Sequence, residues 1–389
     1  MYILGIETSC DETAAAIVKD GREILSNVVV SQIDIFKEYG GVIPEVAARS
    51  HLEAILPVIH EAIRQAEKND PKFSARNQAN LEKVPSYEGI DAIAVTHTPG
   101  LLGSLLIGTL TARTIAILHD KPLYPVHHLK SHIYANWLSG SQPEFPLLAL
   151  VVSGGHTQII RMTKHNEFEI IGTTRDDAVG ECFDKVAKIL GLPYPGGPSI
   201  SKAAQNGDPQ KYKFPHPKLS SPLRASIKTS APKKSECVPS PSLDFSFSGL
   251  KTAVLREVQK AVGKPISFPS HELKNLLSKQ QVADFAASFE NTATDILVEN
   301  LKKALALYPD TKSICLAGGV SANKLLREKV ARLFFSLAAF FPLPSLTGDN
   351  AAMVATAAFY EIESGVPPTD PYKVSLAPRS PIDQSNKPQ

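Results

Sequence analysis

The sequence has few cysteines and no long hydrophobic run. Its 4 cysteines stand far apart among 389 residues and include no Cys-x-x-Cys pair, which argues against a disulfide framework or a zinc ribbon and favours a reducing compartment. The longest apolar stretch, residues 333–344, is interrupted by prolines, whereas a membrane-spanning helix needs about 20 apolar residues. We therefore expect no transmembrane segment and no membrane partner.

The sequence also lacks a strong excess of either charge. Lys and Arg total 41 against 39 Asp and Glu, so any RNA would have to be bound by a local patch rather than by a global basic field. The hydrophobic share of 43% is that of an ordinary folded protein, and at roughly 150 residues per domain the length favours two or three domains. Residues 2–6 already have the pattern of a core strand, so we expect neither a secretory signal nor an Arg-rich transit peptide at the start.

A strand–turn–strand pattern occurs twice. Residues 2–6 and 14–18 are apolar and flank a polar segment, and the same arrangement returns over residues 147–161 around Ser153-Gly154-Gly155-His156. This weak repeat predicts two α/β halves, each opening with a β-hairpin whose turn faces a shared cleft.

The repeat and the composition together predict the domain organisation. We place one domain at residues 1–126 and a second at residues 127–349, with a helix over residues 350–365 completing the first. Residues 207–242 are rich in proline and basic residues and predict a flexible flap. Residues 366–389 predict a partly ordered tail.

Two histidines are spaced for a metal site. His128 and His132 are four residues apart, so on a helix both imidazoles share one face and can reach one ion. Asp349 is the candidate third ligand, and two surface or hydrogen-bonded histidines are the alternative. The glutamate that follows the first histidine in His-Glu-x-x-His, and that supplies a zinc protease with its base, is missing. Lys130, between the histidines, would repel a cation unless its side chain points away.

Two glycine pairs follow apolar strands. Gly154 and Gly155 end the first, and Gly318-Gly319 lie just before a predicted helix over residues 323–333. Glycine lets backbone N–H groups approach an anion closely, and a helix N-terminus favours negative charge; plain turns are the alternative. Neither pair matches the dinucleotide or Walker fingerprint, which disfavours those common folds.

Several polar groups have both a functional and a structural interpretation. Asp11 and Glu12 could hold magnesium near phosphates or act as a base, or could merely cap a turn. Asp184, in a group of carboxylates at a predicted helix start, could bind ribose hydroxyls or serve in capping. Residues 244–251 carry two aromatics that could meet RNA or lie buried on a strand face.

Eight segments, taken together, resemble one family. They are IETSCDETAAAIV, GGVIPEVAARSH, HHLKSH, VSGGHTQ, FDKVAKILGLPYPGGP, DFSFSGLKTA, AGGVSAN and Asp349-Asn350. They run in order through about residues 1–363 and are similar to the universal tRNA N6-adenosine threonylcarbamoyltransferases, in particular their bacterial and mitochondrial branch. Lys130, where many relatives carry Glu, and Thr347-Gly348 depart from the pattern.

The resemblance implies a fold and a reaction. The fold would be α/β, a two-domain actin/Hsp70/sugar-kinase-like fold with a nucleotide cleft between the domains. The enzyme would be a metal-dependent acyltransferase that moves the threonylcarbamoyl group from threonylcarbamoyl-AMP to N6 of adenosine 37 in ANN-decoding tRNAs and releases AMP. Positioning and charge stabilisation would dominate, because the phosphoanhydride already activates the carbonyl.

The resemblance also implies a ligand set. His128, His132 and Asp349 would bind one divalent metal. Zinc or iron would be preferred, with magnesium as an alternative near the phosphates. Asp11 and Glu12 would be catalytic, as phosphate-side metal ligands or as the base. The substrate-binding residues would line the acyl-adenylate, contact the nucleoside or hold the adenylate; they are Val151, Val152, Ser153, Gly154, Gly155, Asp184, Gly197 and Asn323.

Assembly and location follow the same resemblance. Mitochondrial relatives act as homodimers, whereas bacterial ones use a paralogous partner subunit. We expect a homodimer and a mitochondrial location, with a paralogous partner and the cytoplasm as the alternatives. Two other functions stay open at this point: the metallopeptidase activity once assigned to the family, and a nucleotide-binding scaffold that has lost catalysis, for which Lys130 is the warning sign.

Overall fold

Two five-stranded mixed sheets organise the protein. The computed structural model describes residues 1–77, 86–217, 219, 242–333 and 337–382. The strands of the first sheet are β1 (Tyr2–Glu7), β2 (Glu12–Lys19), β3 (Glu23–Ser31), β4 (Ala92–Thr98) and β5 (Leu123–His127). The strands of the second sheet are β6 (Leu147–Val152), β7 (Thr157–Met162), β8 (Phe168–Thr173), β9 (Ser313–Ala317) and β10 (Ala338–Phe340).

The two sheets have the same topology. Their orders are β3-β2-β1-β4-β5 and β8-β7-β6-β9-β10. In the first sheet β1 pairs antiparallel with β2 and parallel with β4, and in the second β6 pairs antiparallel with β7 and parallel with β9. The predicted doubling of an α/β unit that begins with a hairpin is therefore confirmed.

Eleven α-helices surround and separate the sheets in the described residues. They are α1 (Ile33–Tyr39), α2 (Pro44–Asn69), α3 (Pro71–Arg76), α4 (Leu102–Leu118), α5 (His128–Tyr134), α6 (Val179–Leu190), α7 (Gly196–Ala204), α8 (Ser248–Ala261), α9 (Lys279–Leu307), α10 (Lys324–Leu333) and α11 (Ala351–Glu363).

One hydrophobic core joins the two halves. Ile3 of the first sheet, Leu147 of the second and Met353 of α11 are fully buried and belong to one cluster. A buried aliphatic side chain contributes about 1.5–3 kcal/mol relative to an exposed one. The halves are therefore held together by packing and not only by the connecting chain.

Helix α11 carries the chain from the second half back to the first. It packs so closely on β1 that a Cβ at Gly5 would lie 2.2 Å from the carbonyl oxygen of Ala351. The helix begins after Asn350, whose side-chain oxygen accepts a hydrogen bond from Met353 N at 3.1 Å and so caps the first turn. This arrangement brings the preceding residue, Asp349, to the edge of the first sheet.

The aromatic pair at residues 244–251 is structural. Phe245 and Phe247 have no exposed surface, so the RNA-binding interpretation of these rings is wrong and the buried one is confirmed. Asp176 accepts hydrogen bonds from the hydroxyls of Ser246 and Ser248 at 2.5 and 2.8 Å and fixes the segment that enters α8. Most of the predicted basic flap lies outside the described residues.

The sequence predicted separate, unpaired cysteines and no transmembrane segment. Cys10, Cys182 and Cys315 are free thiols, and Cys237 falls outside the described ranges. Within those ranges no helix is both long enough and apolar enough to cross a lipid bilayer.

Candidate functional site

A cavity of about 1130 Å³ opens between the two halves. Both hairpin turns, Gly319 of the second glycine pair, the starts of α7 and α10, and Asp349 line it. Drug-sized ligands occupy pockets of roughly 300–1,000 Å³. The cavity can therefore accept a ligand the size of a nucleotide with a further group attached.

His128, His132 and Asp349 meet at the floor of this cavity. His128 Nε2 and His132 Nε2 lie 3.5 and 3.1 Å from Asp349 Oδ1, and one donor atom from each of the three residues lies within 4.8 Å of the others. Both ring nitrogens of His132 are buried; Nδ1 has no hydrogen-bond partner among the described residues, and Nε2 faces only the Asp349 carboxylate. Two imidazoles and one carboxylate with room on the cavity side suit zinc or iron, so the residues present fit a divalent metal.

The predicted spacing works because β5 ends at His127 and α5 begins at His128. His127 stands at the cap position and its Nδ1 accepts a hydrogen bond from Leu129 N at 3.2 Å. The first and fifth residues of α5 then share one face, as the four-residue spacing requires. Of the alternative, two surface or hydrogen-bonded histidines, the surface part is wrong, because His128 is 8% and His132 is 1% exposed. The hydrogen-bonded part holds for His128, whose Nδ1 lies within hydrogen-bond distance of Glu7.

Glu7, which the sequence interpretation missed, orients His128. Its Oε2 lies 3.1 Å from His128 Nδ1 and accepts a hydrogen bond from Thr96 Oγ1 at 2.6 Å, while its Oε1 accepts one from Ser9 N at 2.5 Å. A carboxylate behind a metal-ligating imidazole fixes its tautomer and leaves Nε2 for the metal. The available signal was a glutamate ending a strand that is otherwise apolar.

The charges at the site favour a cation. Burial opposes charge on His128, but Asp349 and Glu7 raise the pKa of this imidazole to about 9. Burial also opposes charge on Asp349, but His128 and His132 hold the pKa of its carboxyl below the usual range. Burial, with Asp349 and Asp11 adding to it, raises the pKa of Glu12 to about 10. Positive charge at the centre relieves this excess of carboxylates, as a divalent metal would.

Lys130 points away from the candidate metal ligands. It is 1% exposed, its Nζ lies 3.5 Å from Glu361 Oε1, and it stands 5.2 Å from the centre of the Phe168 ring. Burial lowers the pKa of Lys130, against the effect of Glu361. The condition set by the sequence, that this side chain must point elsewhere, is met.

The first turn, residues 8–11, is held by α2 and the segment before α4. His51 Nε2 donates to Cys10 O at 2.9 Å, Leu101 N donates to Ser9 O at 2.8 Å, and Gln32 N donates to Asp11 O at 3.0 Å. With its backbone anchored on three sides, the turn presents Asp11 and the following Glu12 to the cavity. These two predicted residues therefore lie beside the candidate metal ligands.

The second turn, residues 153–156, presents backbone instead of carboxylates. Ser153 N donates to His156 O at 2.8 Å, and Gly154 and Gly155 are exposed in the cavity wall. A Cβ at Gly180 would lie 2.6 Å from Ser153 O, so the start of α6 packs directly on this turn. Exposed N–H groups of this kind suit an anion.

The predicted substrate-binding run therefore divides into two parts. Ser153, Gly154 and Gly155 line the cavity, but Val151 and Val152 are fully buried in β6 and do not. Their side chains face the cores above and below the sheet, as those of a strand with both faces covered must. The expectation that both valines contact a ligand is corrected on this point.

The opposite wall holds Asp184, Gly197 and Asn323. Asp184 Oδ1 accepts a hydrogen bond from Gly196 N at 2.6 Å, which leaves its other oxygen for a ligand. Asn323 Nδ2 donates to Glu290 Oε1 at 2.7 Å, while its Oδ1 accepts from Leu326 N at 2.9 Å at the start of α10. The amide of Asn323 is thus already committed.

Two residues that were not predicted as site residues also line the cavity. Glu290 is 7% exposed, and its Oε1 also accepts a hydrogen bond from Ser201 Oγ at 2.5 Å. Burial, with His128 and His132 adding to it, lowers the pKa of His156 to about 4. His156 was visible in the VSGGHTQ segment, but Glu290 lies mid-helix in α9, where no local pattern distinguishes it.

Known proteins resemble this chain in sequence and in fold. The sequence profile of TsaD, described as tRNA N6-adenosine threonylcarbamoyltransferase, matches residues 23–356. Proteins of that name from Symbiobacterium thermophilum and Bacillus subtilis are 46% and 44% identical over 366 and 371 residues. In both cases the alignment covers 94% of this chain and 92% of the relative.

Solved structures confirm the expected fold class. HypF from T. kodakarensis superposes with a TM-score of 0.55 at 14% identity, covering 93% of this chain and 48% of that one. Full-length HypF in its phosphate- and nucleotide-bound form gives a TM-score of 0.51 at 12% identity, covering 93% and 46%. These likenesses concern the fold alone, whereas the sequence matches span nearly the whole chain. The chain therefore belongs to the tRNA N6-adenosine threonylcarbamoyltransferase family.

Proposed function

We propose that this chain transfers the threonylcarbamoyl group from threonylcarbamoyl-AMP to N6 of adenosine 37 in ANN-decoding tRNAs, releasing AMP. Family membership makes it a tRNA-modifying transferase, and the donor and the metal dependence are the finer parts of the proposal. One observation supports both parts: His128, His132 and Asp349 form a cluster at a cavity that is also lined by glycine-containing turns of the second half.

His128, His132 and Asp349 would hold the metal. A mixed nitrogen and oxygen donor set favours zinc or iron, whereas magnesium prefers oxygen ligands alone; magnesium would be expected only beside Asp11, Glu12 and phosphate. When bound, the ion would polarise the carbonyl of the threonylcarbamoyl group. Glu7 would keep His128 in the ligating tautomer.

The rest of the site positions the donor. The N–H groups of Gly154 and Gly155 would meet its anionic centre, and the free oxygen of Asp184 would accept a ribose hydroxyl above Gly197. Asn323, whose amide is committed to Glu290, would shape the wall. Holding donor and amine in reacting geometry supplies much of the rate in such a transfer.

The first turn supplies the acid–base groups. Because the pKa of Glu12 is raised to about 10, this side chain holds a proton at neutral pH and can donate one. We assign acceptance of the attacking amine's proton to its neighbour Asp11. Amine attack on the carbonyl then releases AMP without a covalent enzyme intermediate.

Pairing with a second copy fits the exposed leucines of two helices. Leu52 and Leu56 of α2 are 65% and 51% exposed, and Leu102, Leu106 and Leu110 of α4 are 55%, 42% and 44% exposed. Exposed apolar faces of this kind mark interaction sites. We propose that this leucine face forms a homodimer, with a paralogous subunit as the alternative partner; Leu106→Arg should yield monomers in light scattering after gel filtration.

The mitochondrial location stays a prediction. It rests on bacterial-type motifs combined with long insertions, and the related proteins named above are bacterial. Imaging of a tagged chain beside mitochondrial and cytoplasmic markers tests it.

The two other functions gain no support. The metallopeptidase needs the glutamate that directly follows the first histidine in His-Glu-x-x-His, and Leu129 stands at that position. The degenerate scaffold rested on Lys130 as a warning sign, and that side chain pairs with Glu361 away from the metal ligands.

The transfer assay tests the proposal. Wild-type protein loaded with zinc or iron should move radiolabelled threonylcarbamoyl from the donor to an ANN-decoding tRNA, while the His128→Ala/His132→Ala double variant should not. His216→Ala/His271→Ala removes two imidazoles whose side chains are 39% and 76% exposed and should behave as wild type. No transfer by the wild type, even with added bacterial partner proteins, would contradict the proposal.

A further inference from the structure

The C-terminal tail crosses the mouth of the cavity and touches both halves. Thr98 Oγ1 donates to Ala377 O at 2.6 Å, and Gly100 N donates to Pro378 O at 3.2 Å. A few residues on, Ile382 is 2% exposed and belongs to the core shared by the two sheets. The segment 374–382 is therefore a strap docked over the ends of β4 and β5, not a loose tail.

The strap is also joined to the metal-bearing helix. His127 Nε2 donates to Ser380 O at 2.9 Å, and the other nitrogen of the same ring caps α5. Backbone groups on both sides of Arg379 are thus fixed, by Gly100 at residue 378 and by His127 at residue 380. A residue held in this way is presented at a defined place.

Arg379 projects from the strap into the cavity mouth and has no partner among the described residues. It is exposed and lines the cavity, and its guanidinium makes no hydrogen bond or ion pair with any described residue. Carboxylates line the same cavity at Asp11, Glu12 and Asp349, yet none of them pairs with it. An arginine kept out of ion pairs, with five donors in a planar fork, is suited to phosphate oxygens.

Two lysines on the opposite wall share this state. Lys202 of α7 and Lys324 of α10 are exposed, line the cavity and form no ion pair with a residue in the described ranges. With Arg379 they are the only lysines and arginines among the described residues that line the cavity. Cations therefore flank the cavity on both halves. The exposed Glu328, one turn after Lys324, also lines it but pairs with Arg332.

We propose that Arg379 binds a backbone phosphate of the tRNA at the mouth of the cavity, with Lys202 and Lys324 doing so from the other half. The inference rests on the proposed function. The small donor is already provided with anion-binding backbone inside the cavity, at the second turn, whereas an RNA must pass the mouth for one base to reach the candidate metal ligands. Phosphate contacts by Arg and Lys set the register of a nucleic acid without reading its sequence. A chain with a net charge of only +2 needs such a local patch.

Arg379→Gln tests the proposal in the full-length protein. Affinity for an unmodified ANN-decoding tRNA transcript is measured between about 50 and 200 mM salt, the range in which phosphate contacts dominate. The variant should bind roughly threefold to tenfold more weakly at the low-salt end, and its log–log salt slope should fall by about 1, as for the loss of one phosphate contact. Arg379→Lys should keep most of the affinity, and Lys324→Gln should lower the slope by a similar amount.

A control on the same tail separates a contact from general charge. Lys373 pairs with Asp370 at 3.6 Å and does not line the cavity, so Lys373→Gln should keep the wild-type slope. The donor KM should be unchanged in Arg379→Gln. If Arg379→Gln raised the donor KM and left the tRNA affinity unchanged, the proposal would be overturned in favour of a donor contact. If the variant matched the wild type in both donor KM and tRNA affinity, the proposal would be overturned outright. Absence of transfer by the wild type would instead count against the proposed function, because tRNA binding is measured without the donor.

Discussion

The two hairpin turns occupy equivalent places in the two halves but differ in chemistry. Residues 8–11 join β1 to β2, and residues 153–156 join β6 to β7, so each turn has four residues and each enters the same cavity. The first turn is bordered by Glu7 and Glu12 and contains Asp11. The second contains Gly154 and Gly155 and no carboxylate.

Because of this difference, the two halves of the cavity suit ligand groups of opposite charge. Carboxylates at the first turn orient a histidine, collect negative charge and favour a cation. Bare backbone at the second turn favours an anion. An acyl-adenylate with a metal ion needs both, and one duplicated scaffold can supply them once its two turns have diverged.

Removing a candidate metal ligand from the first half should have the largest effect, on metal affinity. His132→Ala deletes a donor from the first half, and we expect a greater loss of metal affinity than the roughly 10–100-fold that removal of an outer-shell partner costs. Metal content after dialysis measures it, with activity as a second readout. Metal retention at the wild-type level would exclude this residue as a ligand.

Glu7→Gln should come next. The amide keeps the shape of the side chain but cannot hold Nδ1 of His128 as a carboxylate does, so metal affinity should fall by roughly 10–100-fold. Glu361→Gln is the matched control, since Glu361 is also a buried glutamate near α5 but pairs with Lys130. Competition with a chelator distinguishes the two, and equal affinities would contradict the orienting role of Glu7.

In the second half, the backbone itself should be sensitive. Gly318 has a φ of +84°, and a Cβ there would lie 2.5 Å from the carbonyl oxygen of Val152, whereas Gly365 has a φ of +77° in open space. Alanine at Gly365 should cost about 1–2 kcal/mol from its backbone conformation alone. Gly318→Ala should lose roughly 1–3 kcal/mol more, from strain against β6, in urea unfolding. Equal losses would mean that the glycine loop can move away from β6.

Measured per pH unit, the smallest effect concerns the dependence of stability on pH. The pKa of Glu12 is raised from 4.5 to about 10 in the folded chain, so between these values the folded state holds one proton more than the unfolded state. The stability of the metal-free protein should therefore fall as pH rises from about 5 to 10, by at most about 1.4 kcal/mol per pH unit. Glu12→Gln should flatten this decline, and the exposed Glu38→Gln should not. Parallel pH profiles for all three proteins would contradict the assignment.

Much of the frame could be predicted from the sequence, because local patterns determine it. The hairpin repeat is periodic, and the fold class follows from it together with the family resemblance. The pair His128 and His132 needed only helical spacing, and Asp349 was a distant candidate for the third ligand that the resemblance also implied.

What the sequence could not supply depends on contacts between distant segments. Glu7 meets His128 across 121 positions, and the strap reaches Thr98 across 279. The burial of Val151 and Val152 follows from packing on both faces of β6, which an apolar run indicates but a motif match ignores. Lys130 could be read correctly only once its partner Glu361, on α11, was in place.

The most direct test of the divided cavity is a metal titration of transfer activity. Protein stripped with a chelator receives zinc or iron in steps, with the donor and an ANN-decoding tRNA in excess. The account predicts that transfer rises to a plateau at one metal per chain and that the His128→Ala/His132→Ala variant stays at the baseline throughout. Full transfer by the stripped protein, or a plateau that the double variant also reaches, would contradict it.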